Sequence, residues 1–181
     1  MFLEDGYDAV AMEVVALNAG VSKGTLYSRY SAKEALFRAV VENTVADWSA
    51  AAAVEDHLLT DDLKERLLHH SRVLARYMLD PDVQAFQRLL VTNRLRFPEL
   101  SRAMYDTGYS YFVDILRKDI EAAAEREGEP VRDADSIARH LIATLTGWHY
   151  QESSARDLTL EELTGVGDRT VTLLMAARHL W

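Results

Sequence analysis

Between residues 22 and 33 the chain reads Ser-Lys-Gly-Thr-Leu-Tyr-Ser-Arg-Tyr-Ser-Ala-Lys. Lys23 is a cation that can pair with phosphate. Thr25 and Ser28 can hydrogen-bond to phosphate oxygens or base edges, and Tyr27 offers a ring and a hydroxyl to sugar-phosphate or a thymine methyl. Gly24 has no side chain to hold another backbone at a distance. Lys33 stands at the expected start of a helix, where a cation and free backbone N–H groups together favour phosphate. This is the chemistry of a nucleic-acid surface, and it is set in an acidic chain. The 181 residues carry a net charge of −9, which taken alone argues against such a partner. Residues 20–40, however, hold Lys23, Arg29, Lys33 and Arg38 against Glu34 alone, a local charge of +3. A protein that grips DNA through one small element needs a local patch rather than a basic whole.

Two short helices are needed to present those residues. Met12, Val15, Ala16 and Ala19 recur at helical spacing and define the inner face of a helix over 11–18. Gly20 falls where a tight turn needs a left-handed residue. Val21 is expected to plug the angle, and Ser22 to cap a second helix over 22–29 while joining the candidate surface. Leu26 and Tyr30 then face inward, leaving Lys23, Thr25, Tyr27 and Ser28 outside. Two short helices joined by a glycine turn form a helix-turn-helix, whose second helix enters the major groove.

The stretch from Gly6-Tyr7 to Glu42, with "AGVS" at the turn, "GTLYSRY" in the second helix and "SAKEAL" after it, resembles the DNA-binding domain of the tetracycline-repressor-like (TetR) family of bacterial transcriptional regulators. "RLLVTNRLRFPELSRAMYDTG" resembles that family's AefR-like regulatory domains. The resemblance implies a dimeric repressor that binds a near-palindromic double-stranded DNA operator and responds to a small lipophilic or aromatic effector. Two departures stand out. Only Met1–Asp5 precede Gly6-Tyr7, so the family's first helix is expected to be largely missing, exposing the face of Met12, Val15 and Leu26. Val10 and Ala11 occupy places where the family has capping hydroxyls. If the first helix is lost, the alternative function is a helical ligand-binding or scaffold dimer that no longer binds DNA.

The rest of the chain is also helical in pattern, giving an all-α fold. Apolar residues recur at three and four throughout, with helices expected at 32–54, 61–79, 81–95, 98–127, 133–155 and 160–180. Ser31 and Thr159 each precede a Glu by three residues, as in capping boxes. The chain divides into a DNA-binding domain over 1–45 and a regulatory, ligand-binding and dimerisation domain over 46–181, with the helix at 32–54 as the mechanical link. Tyr77, Phe86, Leu90, Tyr105, Tyr109, Phe112, Leu116 and Trp148 are candidates for an effector cavity. Core packing is the simpler account of each of them taken singly; the resemblance raises the cavity. Ile137, Leu141, Leu145 and Trp148, with Leu173, Leu174, Ala177 and Leu180, form stripes on the last two helices. Such stripes fit an intramolecular core or a four-helix dimer interface, and the resemblance selects the interface.

Several function classes are excluded or lack support. Without cysteine there is no disulfide, thiolate metal site or thiol nucleophile. No hydrolase, nucleotide-loop or zinc-protease motif appears, so neither enzyme activity nor a cofactor is expected. The six histidines include no i, i+4 pair, which leaves surface or capping roles and no metal. With no membrane-length apolar run and no secretory pattern, a cytoplasmic location without membrane association is expected.

Overall fold

The computed structural model describes the backbone of residues 1–55 and 60–181, and the side chains of all of these except 49–55, 103 and 107. Its elements are α1 (Phe2–Ala9), α2 (Met12–Asn18), α3 (Lys23–Arg29), α4 (Lys33–Glu55), α5 (Leu63–Leu79), α6 (Pro81–Asn93), α7 (Pro98–Met104), a π turn (Tyr105–Tyr109), α8 (Ser110–Glu127), α9 (Ala134–Ser153), α10 (Leu160–Ala176) and a 3-10 turn (Arg178–Leu180). No strand occurs among the described residues, and His57 lies outside them.

Local chemistry sets most of the boundaries. Asp62, Asp80 and Asp133 each accept a backbone N–H in the first turn of the helix that follows. Thr159 and Glu162 satisfy each other's backbone N–H groups in a full capping box. α8 stops at Gly128, whose φ of 71° is left-handed. α4 starts one residue later than a Ser31 cap requires: the carbonyl of Ala32 accepts from Ala35 and Leu36, and the Glu34 carboxylate turns to Arg96 at 2.9 Å.

Three expectations need correction. Residues 2–9 are helical, with a kink at Gly6, whose φ of 77° and ψ of 172° break the helical run. The helix expected over 98–127 is interrupted by the π turn, which shifts the faces of the residues beyond it. The last helix ends at Ala176 and tightens into a 3-10 turn.

The chain divides into two compact units, Met1–Ala52 with Gln84–Gly108, and Ala53–Val83 with Tyr109–Trp181. The first unit is built around an aromatic cluster. The ring of Tyr7 lies 5.0 Å from those of both Phe37 and Phe97, and Phe2 lies 5.2 Å from Phe37. Met12, Ala16, Leu26 and Val41 complete this core. The face of Met12 and Leu26 is therefore covered, at 5% and 7% exposure, and Val15 is half-buried. The same core takes in Phe97 and Leu100, far along the chain.

The second unit packs α5, α8, α9 and α10 around Leu67, Leu116, Ile120, Leu141, Leu145 and Leu163. At Gly167 of α10 an added Cβ would stand 2.8 Å from the Ser71 hydroxyl oxygen and 3.2 Å from its Cβ, so this close approach of α5 to α10 favours glycine. Buried in the same unit, Asp119 meets Arg66 at 2.5 Å and His70 at 2.9 Å. His70 is thus a core partner rather than the surface or capping residue expected.

Candidate nucleic-acid interface

The turn between α2 and α3 is fixed by backbone geometry. Gly20 takes φ of 67°. Its N–H bonds to the Leu17 carbonyl at 3.1 Å, and the Val21 N–H reaches back to Ala16 at 3.0 Å. These paired bonds form a Schellman ending, which only a left-handed residue closes without steric cost. Val21 does not plug the angle: it is 40% exposed.

Ser22 caps α3, its Oγ accepting the Thr25 N–H at 3.0 Å and lying 2.8 Å from the Thr25 hydroxyl. Ser28 donates its hydroxyl to the Thr25 carbonyl at 2.8 Å, leaving the oxygen lone pairs as acceptors. Leu26 is buried, while Ser22, Lys23, Gly24, Thr25, Tyr27 and Ser28 are all exposed. A Cβ on Gly24 would make only ordinary contact with Ser22, 3.7 Å away, so the glycine is not demanded by internal packing.

The cations of this region are engaged within the protein. Lys23 pairs with Glu13 of α2 at 2.5 Å and lies 5.8 Å from the centre of the Tyr27 ring. The contact holds the Glu13 carboxyl below its ordinary range and raises the Lys23 ammonium. Lys33 donates to the Asp8 carbonyl at 3.0 Å and sits 4.6 Å above the Tyr7 ring. Arg38 pairs with Glu99. Arg29 stacks beside Tyr30 and has no carboxylate partner among the described residues.

Behind this surface, Arg96 joins three parts of the first unit. It reaches Asp8 at 3.3 Å and Glu34 at 2.9 Å, and its guanidinium lies 4.5 Å from the Tyr7 ring centre. Tyr7 is thus flanked by two cations, and its buried hydroxyl lies beside the Glu34 carboxylate without a well-formed hydrogen bond. Burial and then the neighbouring Glu34 carboxylate push the phenol up to about 12. Arg96, Phe97 and Glu99 carry contacts that sequence reasoning missed. "RFPEL" was visible as a motif, but nothing local indicates that it returns to residues 8, 34 and 38.

The expected effector residues fall in two separate cores. Phe86 and Leu90 are buried in the first unit. Leu116 is buried in the second, where Tyr109, Phe112 and Trp148 pack against the core and the Tyr77 and Phe112 rings lie 6.2 Å apart. Tyr105, in the π turn, is 44% exposed, so the face expected to join it to Tyr109 and Phe112 is broken. A cavity of about 580 Å³ in the second unit lies among Ile120, Ala124, Val131, Arg132, Arg178 and Trp181, and the expected residues do not line it.

The expected interface residues also separate. Leu141 and Leu145, at 1% and 0% exposure, are enclosed by their own unit's core and inaccessible to a second subunit. Ile137, Trp148 and Leu174 pack against that core, and Ala177 is half-buried. Leu173 and Leu180 remain 70% and 72% exposed. Among the described residues no group of three or more His, Cys, Asp or Glu could hold a metal, and no helix is long and apolar enough to cross a membrane.

Residues 1–40 match the bacterial regulatory proteins of the tetR family, and residues 65–177 match the C-terminal domain of AefR-like transcriptional repressors. A solved structure described as a TetR-family transcriptional regulator, from Mesorhizobium loti MAFF303099, is similar with a TM-score of 0.82 and 26% identity, over 97% of this chain and 90% of that one. The flavonoid-responsive regulator FrrA is similar in fold, with a TM-score of 0.71 and 24% identity over the same shares.

Proposed function

We infer that this chain, which belongs to the tetR family of bacterial regulatory proteins, is an effector-responsive repressor that binds a near-palindromic operator as a dimer. Membership makes it a DNA-binding transcriptional regulator rather than an enzyme. One observation carries the DNA assignment: α3 buries Leu26 and exposes Lys23, Gly24, Thr25, Tyr27 and Ser28 together. With Ser22 and Lys33 these are the proposed DNA contacts. Lys23 and Lys33 meet phosphate, while Thr25, Tyr27 and Ser28 reach the groove and its edges.

Residues 1–45 act as the DNA-binding domain and 46–181 as the regulatory domain, with α4 as the mechanical link. The effector is small and lipophilic or aromatic. The half-buried aromatic residues Tyr109, Phe112 and Trp148 support a site in the regulatory domain, because together they offer apolar area with the Tyr109 hydroxyl and the Trp148 ring N–H as polar atoms. Effector binding changes operator affinity only as far as the effector prefers one of two states. The outward residues of α9, α10 and the 3-10 turn that follows, with Leu173 and Leu180 foremost, support a subunit interface there.

The test is binding of purified protein to its own upstream DNA across a salt series. Affinity is expected to fall steeply with salt. Lys23→Ala with Tyr27→Ala should weaken it by about tenfold or more, from one phosphate and one groove contact. Undiminished binding by the double variant would remove these residues from the interface.

A further inference from the structure

Glu13 stands 2.5 Å from the ammonium of Lys23, both side chains more than half exposed. It projects from the first turn of α2, while Lys23 opens α3. The two helices are held in register by the Gly20 turn, so this contact joins two rigid elements. We propose that Glu13 acts as an internal stand-in for phosphate, occupying Lys23 in the free protein and setting operator affinity below what the recognition helix alone would give.

The proposal rests on the DNA-binding role of Lys23 inferred above. Its physics is simple. A carboxylate in contact with Lys23 lies within one side-chain length of any phosphate that Lys23 reaches. Binding must therefore exchange one anion for another at the same cation, and the displaced carboxylate is left beside the phosphate. Both effects lower affinity, and both depend on the negative charge of Glu13 rather than its size. Other acids nearby are already engaged differently: Asp8 and Glu34 lie against Arg96, and Glu99 against Arg38. Among the described residues Glu13 is the acid in contact with a residue of the exposed α3 row.

Glu13→Gln keeps the shape and removes the charge. Exposed ion pairs are weak, so each effect is modest. Together they should raise operator affinity by about three- to tenfold at ~0.1 M salt, with the slope of log affinity against log salt little changed, because Lys23 meets the same phosphate in both proteins. Glu161→Gln is the control, because Glu161 is an exposed acid in the first turn of α10, remote in sequence from the α2–α3 motif. It changes the net charge equally and should leave affinity within about twofold. A gain in Glu13→Gln that exceeds the control supports the proposal. Wild-type binding with no gain in Glu13→Gln, or an equal gain in Glu161→Gln, overturns this inference alone. Absence of salt-sensitive binding in wild type and Glu13→Gln alike overturns the functional reading and this inference with it.

Discussion

Asp119 is 8% exposed, and two bases meet its carboxylate in the core of the second unit. Burial drives its pKa up, but hydrogen bonds from His70 and Arg66 outweigh burial and hold the carboxyl below its ordinary value of 3.8. The sign of the pH dependence follows. A carboxyl whose pKa is lower folded than unfolded contributes stability that is complete above the unfolded value and is lost as pH falls through the folded one. Urea denaturation of the wild type should therefore show stability draining away below about pH 4. Asp119→Ala should lack this group's share of the acid limb and lose about 3–5 kcal/mol at neutral pH, since it breaks a buried ion pair. The triad was not legible in the sequence. His70 and Asp119 lie 49 residues apart, and neither sits in a local pattern that distinguishes a core histidine from a surface one.

At the scale of elements, most of the fold was legible, because most boundaries are set by neighbouring residues. Asp62, Asp80, Asp133 and Thr159 act within three residues of themselves, and Gly20 and Gly128 act on their own backbone. The inward Leu26 and the outward row beside it also follow from helical spacing alone. The failures were of longer range or of register. The π turn moves Tyr105 off its expected face, and Leu141 and Leu145 satisfy both an interface pattern and a core pattern until packing decides between them. The α6–α7 corner is the largest such case. Phe97 is 2% exposed and completes the aromatic cluster with Tyr7 and Phe37, while Arg96 and Glu99 pair with residues of the motif region. Phe97→Ala should cost about 3–5 kcal/mol by chemical denaturation, the usual range for truncating a buried aromatic residue. It should also weaken DNA binding, because the cavity opens beneath the helices that carry the surface. Full stability in this variant would show that the corner is not part of that core.

At the scale of the whole molecule, the proposed dimer makes a separable prediction. Leu173 and Leu180 are large apolar side chains left in solvent at the end of the chain's last helices. Leu173→Glu with Leu180→Glu should yield a monomer in sedimentation with helical content unchanged, because neither residue supports the internal core. A dimer that survives this double substitution would move the interface elsewhere. The discontinuous make-up of the first unit has a consequence of another kind. Its core is closed by residues 84–108, which follow the motif after an intervening segment assigned to the other unit. On the ribosome the helix-turn-helix emerges before residues 84–108, so Phe2, Tyr7 and Phe37 have to wait for Phe97 before they are sealed. At a synthesis rate of about 5–20 residues per second, that interval lasts several seconds. During it the nascent motif carries an exposed aromatic surface, so a motif made ahead of the segment that seals it is finished only when that segment arrives.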